Sequence, residues 1–264
     1  MESYQFLLNL AIILLSTKVL GLVTRKFHMP QVVGALLAGV ILGPAVLDML
    51  HETEFLDKLA EIGVIVLMFC AGLETDTREL KKSGKSAFII ALIGVIVPLA
   101  GGYAVAAYFN RPSVIASDAS GTAFLQNMFI GVILTATSVS ITVETLKELG
   151  KLKTHSGNAI LGAAIIDDVL GIIALTIITS MADSNVNLVT VLLKIAAFFL
   201  LSGVGGVIVY RLFARWSNNA EHGLQRHTIA AFALCLLLSF AAEKFFGVAD
   251  ITGAYIAGVI ISNT

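Results

Sequence analysis

The sequence predicts an all-α polytopic membrane protein. Three observations carry this. Of the 264 residues, 57% are hydrophobic and 13% charged, with mean hydropathy +0.92. A soluble domain of this size has about a quarter of its residues charged, so much of this surface must face a non-aqueous solvent. Apolar runs recur along the whole chain at about 20 residues, the helical length that crosses ~30 Å of hydrocarbon. Finally, the basic residues fall in alternate breaks between those runs.

Apolar length and charged or turn-rich breaks predict nine helices, over residues 5–24, 31–49, 56–73, 86–109, 125–146, 157–181, 187–210, 227–245 and 250–264. The first has no basic flank of the kind a signal peptide carries, so it is expected to be retained. "RKFHMP" (Arg25 to Pro30) closes it, and Pro30 opens the second. "LGP" (Leu42 to Pro44) lies near the far end of the second. The remaining breaks are short, and no low-complexity linker or soluble domain intervenes. Arg25, Lys26, Arg78, Lys81, Lys82, Lys85, Lys147, Lys151, Lys153, Arg211, Arg215 and Arg226 occupy alternate loops, twelve of the 17 basic residues. The opposite loops hold Lys58, Arg111 and Lys244, while Lys18 and Lys194 lie within spans near an interface. By the positive-inside rule the N-terminus is expected outside, the basic loops in the cytoplasm and Thr264 inside.

Composition also excludes function classes. No basic patch is interleaved with aromatics, so no nucleic-acid partner is expected; the first partner is the lipid bilayer. Cys70 and Cys235 each sit in an apolar run and read as small buried hydrophobes, without disulfide or metal spacing. His28, His51, His155, His222 and His227 lie near span ends, as interfacial residues do.

One motif recurs. "VGALLAGVIL" (Val33 to Leu42) reappears as "TGAYIAGVII" (Thr252 to Ile261). The orientation above sends the second span outward and the ninth inward. Similar sequence in opposite orientation marks an inverted-topology repeat. The first and eighth spans then correspond, the seventh links the halves, and the second repeat is incomplete at Thr264. Chance recurrence of small residues, common in membrane helices, is the competing explanation.

"AAIIDDVLGIIA" (Ala163 to Ala174) sets two carboxylates inside an apolar span. At 1.5 Å per residue Asp167 and Asp168 lie about 15 Å deep, near the bilayer centre. A charge there costs at least ~2.5–3.5 kcal/mol and marks a functional site by default. Adjacent helical residues point ~100° apart, so one carboxylate is expected to address a cavity and the other a neighbouring helix. A carboxylate in such a place can hold a proton or an alkali cation, but not both. That competition is the simplest physical basis for exchanging the two. An intramembrane aspartyl protease needs carboxylates from two helices, which neighbours on one helix do not supply; no enzymatic activity is expected. At matching depth, "LTATSVSIT" (Leu134 to Thr142) brings Thr135, Thr137 and Ser138 into the middle of span five. Hydroxyl and β-branched residues weaken a helix there. Freed backbone at membrane depth is tolerated beside a cavity, where its oxygens suit a hard cation such as Na⁺. Glu74 and Asp76, closing span three, and Glu144, closing span five, read either as a cytoplasmic funnel or gate or as solvated helix ends.

"GALLAGVILGP", "FCAGLETD", "TATSVSITVETLKELGKLKT" and "AIIDDVLG" together resemble the monovalent cation:proton antiporters, in particular the Na⁺/H⁺ exchanger branch of the second cation:proton antiporter family. The resemblance covers the whole chain but about nine of some thirteen family helices. It implies an inverted-repeat antiporter fold in a homodimer of the plasma membrane. Residues 1–84 would be scaffold and dimerisation helices, 85–182 the mobile core, 183–226 a linker helix, and 227–264 scaffold helices opening the second repeat. It further implies alternating access without a cofactor, with Na⁺ (or Li⁺) and H⁺ as cargo. Asp168 would bind either ion, Asp167 would be the charge partner of a lysine from the second repeat, and Thr135, Thr137 and Ser138 would line an unwound crossing. The alternatives are a K⁺/H⁺ member of the same family, or a non-transporting or channel-like membrane partner.

Overall fold

The computed structural model describes residues 4–110, 122–182, 187–218 and 224–262. Arg111, His222 and Thr264, which entered the charge pattern and the count of interfacial histidines, lie outside the described residues. The described chain forms ten α-helices: α1 (Gln5–Lys26), α2 (Gln31–Leu42), α3 (Glu54–Glu74), α4 (Thr77–Phe109), α5 (Ala123–Ile133), α6 (Val139–Glu148), α7 (His155–Ala182), α8 (Leu188–Asn218), α9 (Leu224–Ala241) and α10 (Asp250–Ile261). A π-helical turn, Ala242–Phe246, continues α9.

Among the described residues, five helices are long and apolar enough to cross a membrane: α1, α4, α7, α8, and α9 with its π turn. Large side chains such as Leu15 (69% exposed) and Leu200 (68%) stand on their outer surfaces. That suits hydrocarbon as the surrounding solvent. Four expected spans are not among these five: α3 is continuous over 21 residues but charged at its start, with Glu54, Asp57, Lys58 and Glu61, and the other three are short. α2 and α10 have 12 residues each and α5 has 11, or about 18 Å at 1.5 Å per residue. α2 stops at Leu42 because Gly43 and Pro44 turn the chain back, and the Met49 and Leu50 N–H groups both close on the Leu42 carbonyl at 2.9 Å. The expected span 125–146 divides into α5 and α6.

The chain separates into two compact units. The first comprises residues 1–63 and 140–152, the second 64–139 and 153–264.

In the first unit α1 and α2 form a tight hairpin. α1 ends where His28 takes a positive φ of 59°. The Phe27 and Met29 N–H groups return to the carbonyl of buried Thr24. A β-carbon on Gly34 would overlap the α1 backbone at Leu20 and Gly21. The start of α2 is capped from far along the chain: Glu148 Oε2 accepts the Gln31 N–H at 2.7 Å. A carboxylate at a helix N-terminus satisfies an orphan donor and opposes the macrodipole. Glu148→Ala is therefore expected to destabilise the protein by about 1 kcal/mol, read as a lowered unfolding temperature in detergent, with Glu148→Gln intermediate.

In the second unit α7 is central. Against α4 it packs small residues, Ala163 against Ala87 and Ala91, flanked by Ile166 and Leu170. On its other side Val169, Ile172 and Ile173 meet Ile195 and Phe198 of α8. α5 lies against α4 at Gly102 and Gly131, where neither backbone leaves room for a side chain. α9 and α10 form a hairpin. Gly253 abuts the α9 backbone at Leu238 and Ser239, the local contact that Gly34 makes with α1. Gly34 and Gly253 are the corresponding glycines of the repeated motif, so the two hairpins share a packing device as well as a sequence.

Candidate ion-binding site

α5 ends because its last residues cap themselves. The Leu134 N–H returns to the Ile130 carbonyl and the Thr135 N–H to Val132 at 3.0 Å. The Thr135 hydroxyl, buried, donates to the same Val132 carbonyl at 2.8 Å. The Thr137 hydroxyl can turn to the Thr135 carbonyl at 3.3 Å. Side-chain hydroxyls thus compete with the helical ladder, and residues 134–138 run unwound until α6 begins at Val139. The interruption falls where the hydroxyl-rich sequence places it.

α7 by contrast is unbroken through Asp167 and Asp168. Both carboxylates line one cavity of about 330 Å³ with Thr135, Ala136, Phe129 and Gly171. The expectation that the pair would divide between a cavity and a neighbouring helix is met in part. Asp168, half-buried, faces the cavity. Asp167 is 8% exposed and does both: it borders the cavity and also turns Oδ1 toward α4. A ~100° separation still lets two side chains reach a space this wide. The Thr137 side chain lies near enough to act on the Asp167 carboxyl, while Oδ1 of Asp167 meets no donor among the described residues. The structure therefore joins Thr135, Thr137, Asp167 and Asp168. Ser138 is exposed at the end of the unwound segment and is not among the cavity-lining residues.

The arrangement is a largely apolar cavity into which Thr135 and the two carboxyl groups bring the polar side chains. Neutralisation needs a proton or a cation, since a lone charge in low dielectric is costly. No group of three or more His, Cys, Asp or Glu forms a metal cluster among the described residues. That donor set suits a weakly held, exchangeable hard cation rather than a resident transition metal.

The other expected residues stand elsewhere. Glu74 ends α3, and Asp76 caps α4, its Oδ1 accepting the Arg78 N–H at 2.8 Å. Glu144 is exposed on α6 in the first unit. Between Glu74 and Asp76 the sequence reading passed over Thr75, buried, whose hydroxyl donates to the Ala71 carbonyl at 2.8 Å and accepts from the Tyr255 phenol at 3.1 Å. Its signal was a hydroxyl between two acids at a helix end. A second omission is the Asn110 amide, which donates to Gln126 at 3.1 Å and to buried Asn127 at 2.9 Å, tying α4 to the start of α5.

Comparison with known proteins bears on this site. Residues 11–264 match the family described as sodium/hydrogen exchanger, transmembrane. The probable Na(+)/H(+) antiporter GerT of Bacillus cereus is 40% identical over 263 residues, covering 98% of this chain and 66% of that protein. The Na(+)/H(+)-K(+) antiporter GerN of Bacillus cereus is 39% identical, covering 99% and 64%. A Na(+)/H(+) antiporter of Enterococcus hirae is 34% identical, covering 98% and 66%. The chain thus spans just under two thirds of the length of these curated relatives. With five helices among the described residues long and apolar enough to cross a membrane, a broken helix beside a paired carboxylate and a family match over residues 11–264, the chain belongs to the transmembrane sodium/hydrogen exchanger family.

Proposed function

We infer that this chain carries the ion-binding half of a secondary antiporter that exchanges Na⁺ (or Li⁺) for H⁺ across the plasma membrane. One observation carries the reading: Asp167 and Asp168, mid-helix on α7, share a cavity with the unwound Thr135 segment. Asp168 binds Na⁺ or a proton, Asp167 supplies the second charge, and Thr135 and Thr137 contribute oxygens. Competition for one carboxylate couples the two ions without a cofactor, and movement of the site between the two membrane faces completes the cycle.

The division of labour proposed for the chain has a core at 85–182, scaffold segments at 1–84 and 227–264, and a linker at 183–226. The mutual packing of α4, α5 and α7 supports the core. The close α3–α10 crossing supports the scaffold. The shared Gly34 and Gly253 contacts support an inverted repeat whose second copy begins at α9. The basic-loop alternation supports an external N-terminus. Assembly as a homodimer through the scaffold follows the family resemblance.

A K⁺/H⁺ activity is the second reading, because one relative is named for both Na⁺ and K⁺. Proteoliposomes of the full-length protein, loaded with an imposed pH gradient and challenged in turn with Na⁺, Li⁺ and K⁺, separate them. Gradient collapse by Na⁺ and Li⁺ at concentrations where K⁺ is ineffective is expected; collapse by K⁺ alone would reverse the assignment.

A further inference from the structure

The start of α4 carries Arg78, Lys81, Lys82 and Lys85. The spacing i, i+3, i+4 and i+7 puts all four on one helical face, and all four are exposed. Two local rules oppose this arrangement. Like charges three and four residues apart repel, and cations at a helix N-terminus oppose the macrodipole. Residues 78–85 contain one acid, Glu79, against the four bases. Among the described residues neither Lys81 nor Lys85 is in a salt bridge. An anion from outside the chain would relieve both conflicts.

The rest of the same face says which anion. Ile89, Leu92 and Ile96 continue it along α4, and each is exposed. The opposite face is covered by protein: Ser83, Ala87 and Ala91 are buried, the two alanines against Ala163 of α7. Phe88 to Phe109 carries no charge and is about 33 Å long, enough to fill ~30 Å of hydrocarbon. Lys85 and the three bases before it then fall at headgroup level, at the end of a stripe that faces acyl chains. Long basic side chains bury their stems in this zone and present the charge to the polar surface.

We propose that this face of α4 is a docking surface for the headgroups of anionic phospholipids, in the leaflet at which α4 begins. Charge complementarity selects an anion. Continuity with the exposed apolar stripe selects a lipid, which alone offers a phosphate beside the bases and acyl chains beside Ile89 and Leu92. Because α7 packs along α4 at Ala87 and Ala91, a headgroup held here steadies the helix that supports the acid pair. The proposal does not depend on which cation is exchanged.

The test uses the purified full-length protein in mild detergent, supplemented with phosphatidylcholine or with phosphatidylglycerol of the same acyl chains. At low salt the anionic lipid is expected to raise the unfolding temperature by about 5 °C over the zwitterionic one. The gain should shrink as salt screens the contact. In the triple variant Lys81→Gln, Lys82→Gln, Lys85→Gln the gain is expected to vanish. The same variant in phosphatidylcholine should unfold at an unchanged or higher temperature, because glutamine removes the repulsion and the clash with the dipole. Equal destabilisation in both lipids would make the lysines structural and overturn the docking surface. A gain that the variant retains also overturns it, since the lipid would then act elsewhere. So does inorganic phosphate that reproduces the gain in phosphatidylcholine, because a soluble anion would be the occupant. If the triple variant does not fold, Lys85→Gln decides on the same readings: a smaller gain supports the surface, and an undiminished gain overturns it.

Discussion

Asp168→Asn is expected to abolish cation–proton exchange in proteoliposomes of the full-length protein, a loss of at least about 100-fold, with normal insertion and normal elution on size exclusion. The reason is chemical rather than steric. Asparagine keeps the shape of the side chain and its hydrogen-bonding carbonyl but can neither release a proton nor neutralise a cation. Both carboxylates line the cavity and Asp168 is the more exposed, so it is the one expected to meet an entering ion first. Asp167→Asn should behave differently. That carboxylate is buried, near Thr137 and turned partly toward α4. Its neutralisation removes a charge beside the site while leaving Asp168 able to exchange ions, so reduced but measurable exchange is expected. Equal and complete loss in both variants would mean the two acids act as one indivisible unit.

Gly258→Val is expected to give the largest loss of stability. A β-carbon on Gly258 would overlap the Phe69 carbonyl of α3, and one on Gly72 would overlap the Tyr255 carbonyl of α10. The obstruction is backbone on both sides, so no rotamer change relieves it. Helices in membranes associate through such close approaches because lipid supplies little hydrophobic drive between them. Overpacking of this kind costs about 1–3 kcal/mol or more. The fully buried Tyr255–Thr75 hydrogen bond one turn away would be strained as well. The expected result is a markedly lowered unfolding temperature in detergent, or loss of folded protein. Gly63→Ala on the same α3 helix, where a β-carbon meets nothing, is the control and should leave the temperature unchanged or slightly raised.

What could be read from the residues differs between elements for physical reasons. Long uniform apolar runs fix α1, α7 and α8, because hydropathy over about 20 residues has one structural solution in a bilayer. The acid pair announced itself through its cost. The unwound segment was legible because five hydroxyl residues in nine weaken a helix locally. The length of α2 was not legible: its motif is apolar throughout, but Gly43 and Pro44 end the helix early. Glu148 was missed in favour of Glu144, since a cap supplied from more than a hundred residues away leaves no local signature.

The proposed exchange requires one carboxylate site to hold either a proton or a cation. Adding Na⁺ to the purified full-length protein in weakly buffered detergent, with a pH-sensitive dye, tests it without transport or a membrane. Proton release that saturates with Na⁺ and disappears in Asp168→Asn is the predicted result. Saturable Na⁺ binding with no proton released, or release undiminished in Asp168→Asn, would contradict it.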